Sequence, residues 1–320
     1  MAREATQRPP RSARANARTA RAARRTILRM PWLALGLAVG ITIGAYLLCG
    51  SSTGRGAGEG PVSTLTTADF HALAFSPDSP ETVFFGHHNG MMRSDDGGRT
   101  WRPLVDRRNF DAMGLGIGGG GSRLYLAGHD VFQVSTDVGA SWQPARNNLP
   151  GTDIHGVAMS PSDSNRLYAF VVGFGAFRST DGGATWESLP GRLPEDVMSL
   201  AAAGGEPDTL FAGSMSSGGL RSTDGGQSWS RIDAAALRGV MAVAVDRADA
   251  RIAYAGVEGG LYKTTDAGSS WSKLPFPGAN AVAIAVSPGQ PNVVLAITVK
   301  DRKGLVYRSE DGGATWGGKT

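Results

Sequence analysis

Cysteine is almost missing from this 320-residue chain: Cys49 is the only one. No internal disulfide can form, so the folded part must hold together by packing and hydrogen bonding alone. Acidic residues are nearly missing from the first 30 positions, where nine arginines (Arg3, Arg8, Arg11, Arg14, Arg18, Arg21, Arg24, Arg25 and Arg29) stand against Glu4. That segment carries +8 in a chain whose net charge is +4, which leaves the remainder at −4. The high isoelectric point therefore belongs to the tail, and the remainder has no basic surplus that would suit nucleic acid. Enzyme signatures are missing as well: there is no phosphate-binding loop, no His-Glu-x-x-His pair and no Gly-x-Ser-x-Gly elbow. Gly118-Gly119-Gly120-Gly121-Ser122 is rich in glycine but lies between strand-like runs rather than before a helix, so it reads as a turn.

Four segments follow from composition. Residues 1–29, rich in Arg, Ala and Pro, read as a disordered tail. Met30 to Leu48 is apolar, with no charge until Arg55, and as a helix its 19 residues would span roughly 28 Å, the thickness of a bilayer's hydrocarbon. The expectation is a transmembrane helix over residues 30–49. The arginines before it place the tail in the cytoplasm and the rest of the chain outside, in the periplasm or at the cell surface. Gly36, Gly40 and Gly44 are spaced to let two such helices pack as a dimer. Cys49 precedes Gly50-Ser51-Ser52, as at a lipidation site, but bulky Leu48 stands where a small residue is expected, which favours an uncleaved anchor. Residues 50–61 read as a flexible tether, and residues 62–320 as the folded domain.

That domain is periodic. The stretch Arg178-Ser179-Thr180-Asp181-Gly182-Gly183-Ala184-Thr185-Trp186 has six close copies counting itself, centred on Asp96, Asp137, Asp181, Asp224, Asp266 and Asp311. They end at Trp101, Trp142, Trp186, Trp229, Trp271 and Trp316, spaced 41, 44, 43, 42 and 45 residues apart. A period in the low forties, with short strand-like runs between Gly/Asp turns, predicts an all-β fold: a six-bladed propeller of four-stranded antiparallel blades. The carboxylate can accept backbone N–H bonds, the glycine can take positive φ, and the tryptophan opens the next strand. An element present in every blade is scaffold rather than site. Only four residues follow Trp316, so Val62-Ser63-Thr64-Leu65-Thr66 is the candidate to complete the last blade.

These copies match the pattern Ser/Thr-x-Asp-x-Gly-x-Thr/Ser-Trp of the Asp-box, or BNR, repeat, and from about Ala68 the chain resembles the Asp-box propellers. That group includes sialidases, sortilin-type receptors, photosystem II assembly-factor propellers and uncharacterised glycosylhydrolase-like bacterial proteins. The resemblance implies that the box is a peripheral turn, remote from any active site. The openings Asp69-Phe70-His71, Asp111-Ala112-Met113 and Asp153-Ile154-His155 look most like the glycosylhydrolase-like members.

On the propeller scheme all five histidines, His71, His87, His88, His129 and His155, fall on one rim. Aligning the inner strands sets His71, Met113, His155, Met198, Met241 and Val282 at one position, with Asp69, Asp111, Asp153, Asp196, Gly239 and Asn280 two residues earlier. Imidazole beside thioether points to copper rather than calcium or magnesium, with zinc the other candidate; His71, His155, Met113, Met198 and Met241 are the candidate metal ligands. The competing reading is structural, with methionines filling gaps and aspartates capping turns.

The domain is therefore expected to bind a metal, a glycan or a protein on its histidine rim. The alternative is a glycoside hydrolase, which needs two carboxyl groups flanking one bond. Glu195, Glu258, Asp130 and Asp301 are rim acids, with Arg107, Arg108, Arg238 and Arg302 nearby, yet no spacing pairs them. The early Phe/Tyr-Arg-Ile-Pro motif of sialidases is absent. Arg93, Arg178, Arg221, Arg308 and Lys263 recur just before the boxes, where a packing role is expected rather than a partner-binding face.

Overall fold

The computed structural model describes residues 60–118 and 121–317. The expectations for the tail (1–29), the membrane span (30–49), most of the tether (50–61), the Gly36/Gly40/Gly44 contact and Cys49 lie outside those residues. Among the described residues the strands form six antiparallel sheets of four. Their inner strands are Ala72–Ser76, Gly114–Ile117, Ile154–Met159, Val197–Ala203, Val240–Val245 and Ala283–Val286. Each inner strand touches the inner strands on both sides, and Ala283–Val286 returns to Ala72–Ser76. The ring is closed, and the expected six-bladed propeller is the fold.

The apolar runs explain why the blades stack. Leu124–Gly128, Leu167–Val171 and Ala253–Val257, the second strands of blades two, three and five, are buried at every position. A strand buried on both faces needs a sheet on each side. The core accordingly lies between blades: Phe211 and Ile232 of blade four pack with Ala253 and Val257 of blade five, and Leu73, Phe75 and Phe85 of blade one with Leu295 and Val306 of blade six.

Closure follows from the strand before blade one. Ser63–Leu65 pairs antiparallel with Lys303–Ser309 and supplies the outer strand of the last blade. Leu65 is buried in the core between blades six and one. Ser63 Oγ donates to Gly98 O (2.5 Å) and accepts from Trp101 Nε1 (3.0 Å), so this strand also grips the first box.

Each box is a small knot of hydrogen bonds. In blade three Ser179 Oγ donates to Asp181 Oδ1 (2.8 Å) and accepts from Gly183 N–H (2.8 Å). Asp181 also accepts from the N–H (2.9 Å) and hydroxyl (2.5 Å) of Thr185, and Trp186 Nε1 donates to Gly183 O (2.9 Å). Gly182 and Gly183 have φ of 74° and 85°, the left-handed region glycine tolerates. Val138 and Ala267 occupy the first of these positions in blades two and five at φ 60° and 59°, so a non-glycine residue can be held there.

The boxes also join blades. Tyr125 Oη of blade two donates to Gly182 O in the box of blade three (2.7 Å), and Tyr254 Oη of blade five to Gly312 O of blade six (3.3 Å). Lys263 Nζ reaches the same carbonyl (3.0 Å), Arg221 donates to Ala267 O, and Arg308 reaches Gly97 O (3.3 Å) and Glu81 (3.1 Å). These pre-box cations thus bind the neighbouring blade, whereas Arg178 pairs with Glu187 of its own blade. Tyr168 Oη and Arg166 both contact Asp208, a fully buried carboxylate of blade four.

Two outcomes follow. Ser179→Ala leaves the Gly183 N–H buried without its acceptor and should cost about 1–3 kcal/mol in urea unfolding, whereas Ser179→Thr should be tolerated, because Thr264 makes the same two bonds in blade five. Hydrogen bonds from Ser141, Thr185 and Ser270 are the leading cause that lowers Asp137, Asp181 and Asp266 to about 2. A carboxyl depressed in the folded state stabilises above its unfolded value, and that contribution is lost as pH falls toward the folded value. The melting temperature should therefore decline between about pH 4 and pH 2, and Asp→Asn in the three boxes should flatten that decline.

Candidate metal centre on the channel rim

The inner strands run from the histidine-bearing rim to the opposite face, so residues just before them gather around the axis. At the rim end the axial cavity is about 70 Å³ and is lined by His71, Met113, His155, Ser199 and Ala242 among others. Ligand pockets for small organic molecules are several times larger, ~300 Å³ or more. A sugar cannot enter the axis from this end, and any larger ligand must sit on the rim. Farther along, a cavity of about 130 Å³ is bordered by Arg247, whose guanidinium crosses from blade five toward Ile117 O of blade two (3.4 Å).

The residues of the aspartate register, just ahead of the inner strands, share a structural task in blades one, four and six. Asp69 Oδ1 accepts from His88 N–H (2.7 Å), Asp196 from Ser216 N–H (2.6 Å) and Ser214 Oγ (2.6 Å), and Asn280 Oδ1 from Val299 N–H (3.0 Å) and Thr298 Oγ1 (2.9 Å). Each ties the entry of an inner strand to the returning hairpin of its own blade. Burial pushes the Asp196 carboxyl up, but the bonds from Ser214 and Ser216 outweigh it and leave it below the usual range.

Three aspartates go further and meet four histidines. His71 Nε2 lies 3.2 Å from Asp69 Oδ2 and 3.6 Å from Asp111 Oδ1, and His88 Nδ1 lies 3.5 Å from each of the same two oxygens. Asp111 is only 2 % exposed. Its other oxygen, Oδ2, is 2.5 Å from His129 Nδ1. His129 Nε2 then faces Asp153 Oδ1 at 3.7 Å, and His155 Nε2 is 3.0 Å from that oxygen. The array runs along the rim from blade one to blade three.

Many of these atoms make no hydrogen bond despite their closeness. Eight buried side-chain nitrogens or oxygens among the described residues are without one, and five belong here: His71 Nε2, Asp111 Oδ1, Asp153 Oδ1 and both ring nitrogens of His155. Buried polar atoms are ordinarily satisfied, so a concentration of unsatisfied ones at a single place marks the rim as a candidate site for a water, an ion or a ligand.

The remaining candidates fall elsewhere. His87 is the last residue of the strand Ser79–His87, whereas His88 lies in the hairpin turn that follows: His87 is buried, stacked on Phe85 with centroids 5.8 Å apart, and its Nδ1 accepts from Asn89 N–H (3.3 Å). Burial pushes its pKa below the ordinary histidine value. Met113 borders the axial cavity beside His71 and His155, but Met198 and Met241 do not line it. Glu195, Glu258, Asp130 and Asp301 are exposed, with Asp130 accepting from Thr152 Oγ1 (2.6 Å). Asp301 and Arg302 form the tight turn of the last hairpin at φ 51° and 63°, and Arg107 stacks over Phe110 at 4.5 Å. The linking role of Asp111 was not apparent in the sequence, where it is one of four equivalent aspartates.

Comparison with known proteins agrees with the fold. The BNR/Asp-box repeat model matches residues 177–188, and the Sortilin-Vps10 model (sortilin, neurotensin receptor 3) matches residues 217–318. A xyloglucanase of Acetivibrio thermocellus is 27% identical over 256 residues, covering 62% of this chain and 26% of the relative. A xyloglucanase of a Paenibacillus species is 25% identical over 303 residues, covering 77% and 26%. The chain thus spans about a quarter of the length of the curated relatives it matches. Among solved structures, the GH74 xyloglucanase of Xanthomonas campestris superposes with a TM-score of 0.59 at 21% identity, over 80% of this chain and 46% of that one. YCF48 from Cyanidioschyzon merolae gives 0.52 at 19%, over 80% and 86%. With six boxes on six closed blades, the chain has the fold and the repeat of the Asp-box (BNR) propellers, and the curated relatives it resembles in sequence include xyloglucanases.

Proposed function

We propose that this chain is a membrane-anchored, extracytoplasmic metal-binding propeller, held by residues 30–48 and carrying a zinc or copper ion on its histidine rim. One observation carries the reading: His71 Nε2, His88 Nδ1, Asp69 Oδ2 and Asp111 Oδ1 approach one another along four edges of 3.2–3.6 Å. Ligand atoms bonded tetrahedrally at about 2.0–2.2 Å lie about 3.3–3.6 Å apart, so the edges from Asp69 to His71 and His88 suit one ion held by these three residues, which offer donors within 4.8 Å of one another, with Asp111 Oδ1 beside both histidines. Direct ion pairs would be shorter and hydrogen-bonded, and His71 Nε2 and Asp111 Oδ1 are not. Nitrogen with carboxylate oxygen suits zinc and also copper(II). A ring fixed to the backbone before two inner strands and in one hairpin keeps these donors in place, with Asp69 already oriented by the His88 N–H.

A second reading rests on the likeness to xyloglucanases. There the rim would bind or cleave a glucan, with exposed acids such as Glu195, Glu258, Asp130 and Asp301 as the carboxyl groups. The two readings separate in solution. Zinc at 100 times its Kd should stabilise the folded chain by about 2.7 kcal/mol, seen as a rise in melting temperature, and the double variant His71→Ala/His88→Ala should lose that rise. A melting temperature that zinc does not move, or moves equally in both proteins, counts against the metal reading. Release of reducing ends from xyloglucan, lost on replacing a rim acid and unaffected by chelator, would support the hydrolase.

A further inference from the structure

We infer that the rim carries a second metal centre, formed by His129, Asp153 and His155, which is linked to the first through Asp111 and keeps one coordination position for an outside ligand. This rests on the metal reading above and extends it from one ion to two.

The second group is separate from the first. His129, Asp153 and His155 offer three ligand atoms that all lie within 4.8 Å of one another, as Asp69, His71 and His88 do in the first group. The rings of His129 and His155 meet edge to face with centroids 5.2 Å apart. Neither ring nitrogen of His155 makes a hydrogen bond, and neither does Asp153 Oδ1, although all three atoms are buried. A neutral imidazole has one N–H and one lone pair, and a histidine buried only to pack would still be expected to place its N–H on an acceptor. His155 places neither nitrogen.

His129 joins the two centres. Its Nδ1 is 2.5 Å from Asp111 Oδ2, which fixes the proton on that side and leaves the Nε2 lone pair facing Asp153. A carboxylate that orients a metal-binding histidine in this way raises its basicity as a ligand. Asp111 Oδ1 meanwhile faces His71 and His88. One buried carboxylate therefore stands beside the first centre by one oxygen and supports the second by the other, so the two sites share it.

The two centres differ in completeness. The first has Asp111 Oδ1 beside its three donors, 3.5–3.6 Å from both histidines, whereas the second has its three donors alone, and a three-donor tetrahedral site keeps its fourth position for water or another ligand. Exposure agrees: the side chains of His129 and Asp153 are 50% and 42% exposed, so a small anion or a water-derived hydroxide can approach from solvent.

The test uses the full-length chain in detergent micelles, without a polyhistidine tag, loaded with cobalt(II) and dialysed. The wild-type protein should hold two cobalt ions per chain by elemental analysis, and azide should shift its visible absorption. His155→Ala and Asp153→Asn should each hold one, with a smaller spectral response to azide than the wild type, and Asp111→Asn should lower the affinity at both sites by at least about 10-fold. Two substitutions at the second site guard against a folding defect in either, and retention of the first cobalt reports an intact rim. One cobalt per wild-type chain, or two with no response to azide, overturns this inference and leaves the first centre standing. No cobalt at all overturns both.

Discussion

The propeller depends on the contact between adjacent sheets. Each blade is apolar on both faces, and the second strands of blades two, three and five have no exposed position, so a blade on its own would leave its hydrophobic surface in water. Burial on this scale dominates folding free energy, and it is satisfied only when every blade has two neighbours. The ring is the arrangement without unpaired faces, and the strand Ser63–Leu65 is what makes its last member complete. Polar pins reinforce the same interfaces, as when Tyr125, Tyr254, Arg221, Lys263 and Arg308 each reach a carbonyl in the next blade's box. The box is therefore a joint between blades as well as a turn within one.

Stacking around an axis also explains how the candidate centre arises. Asp69, Asp111 and Asp153 are about a blade apart in sequence, yet their strands enter the ring side by side and on one face. No local motif is needed to bring together donors that the radial symmetry already aligns. The array stays within blades one to three because a rim residue can touch only its own blade and the two beside it. Asp196 occupies the matching place in blade four and is engaged by Ser214 and Ser216 of its own hairpin.

Much of the fold was legible in the sequence because tryptophan spacing fixes the period and the Ser/Thr-x-Asp-x-Gly pattern fixes the turn. For closure the sequence offered Val62–Thr66 as a candidate strand without deciding how the ring closes, and the structure pairs Ser63–Leu65 with the last blade. The site was legible only to the level of the rim. Sequence register gave Met198 and Met241 the same standing as His71 and His155, but Met198 and Met241 do not line the axial cavity that His71, Met113 and His155 share. Nor could it separate His87 from His88, whose fates differ because one ends the strand and the other lies in the turn after it; one is packed on Phe85 and the other faces Asp69 and Asp111. The link through Asp111 depends on the reach of two carboxylate oxygens in opposite directions, which no pattern of residue types records.

The account's central claim is that the histidine rim is a place for metal rather than a set of ion pairs. X-ray absorption at the zinc edge of the zinc-loaded, dialysed full-length protein tests it most directly. The account predicts a sphere of nitrogen and oxygen donors at about 2.0–2.2 Å with the outer scattering of imidazole rings. The spectrum of a hydrated ion, or a protein that leaves dialysis without zinc, would contradict it.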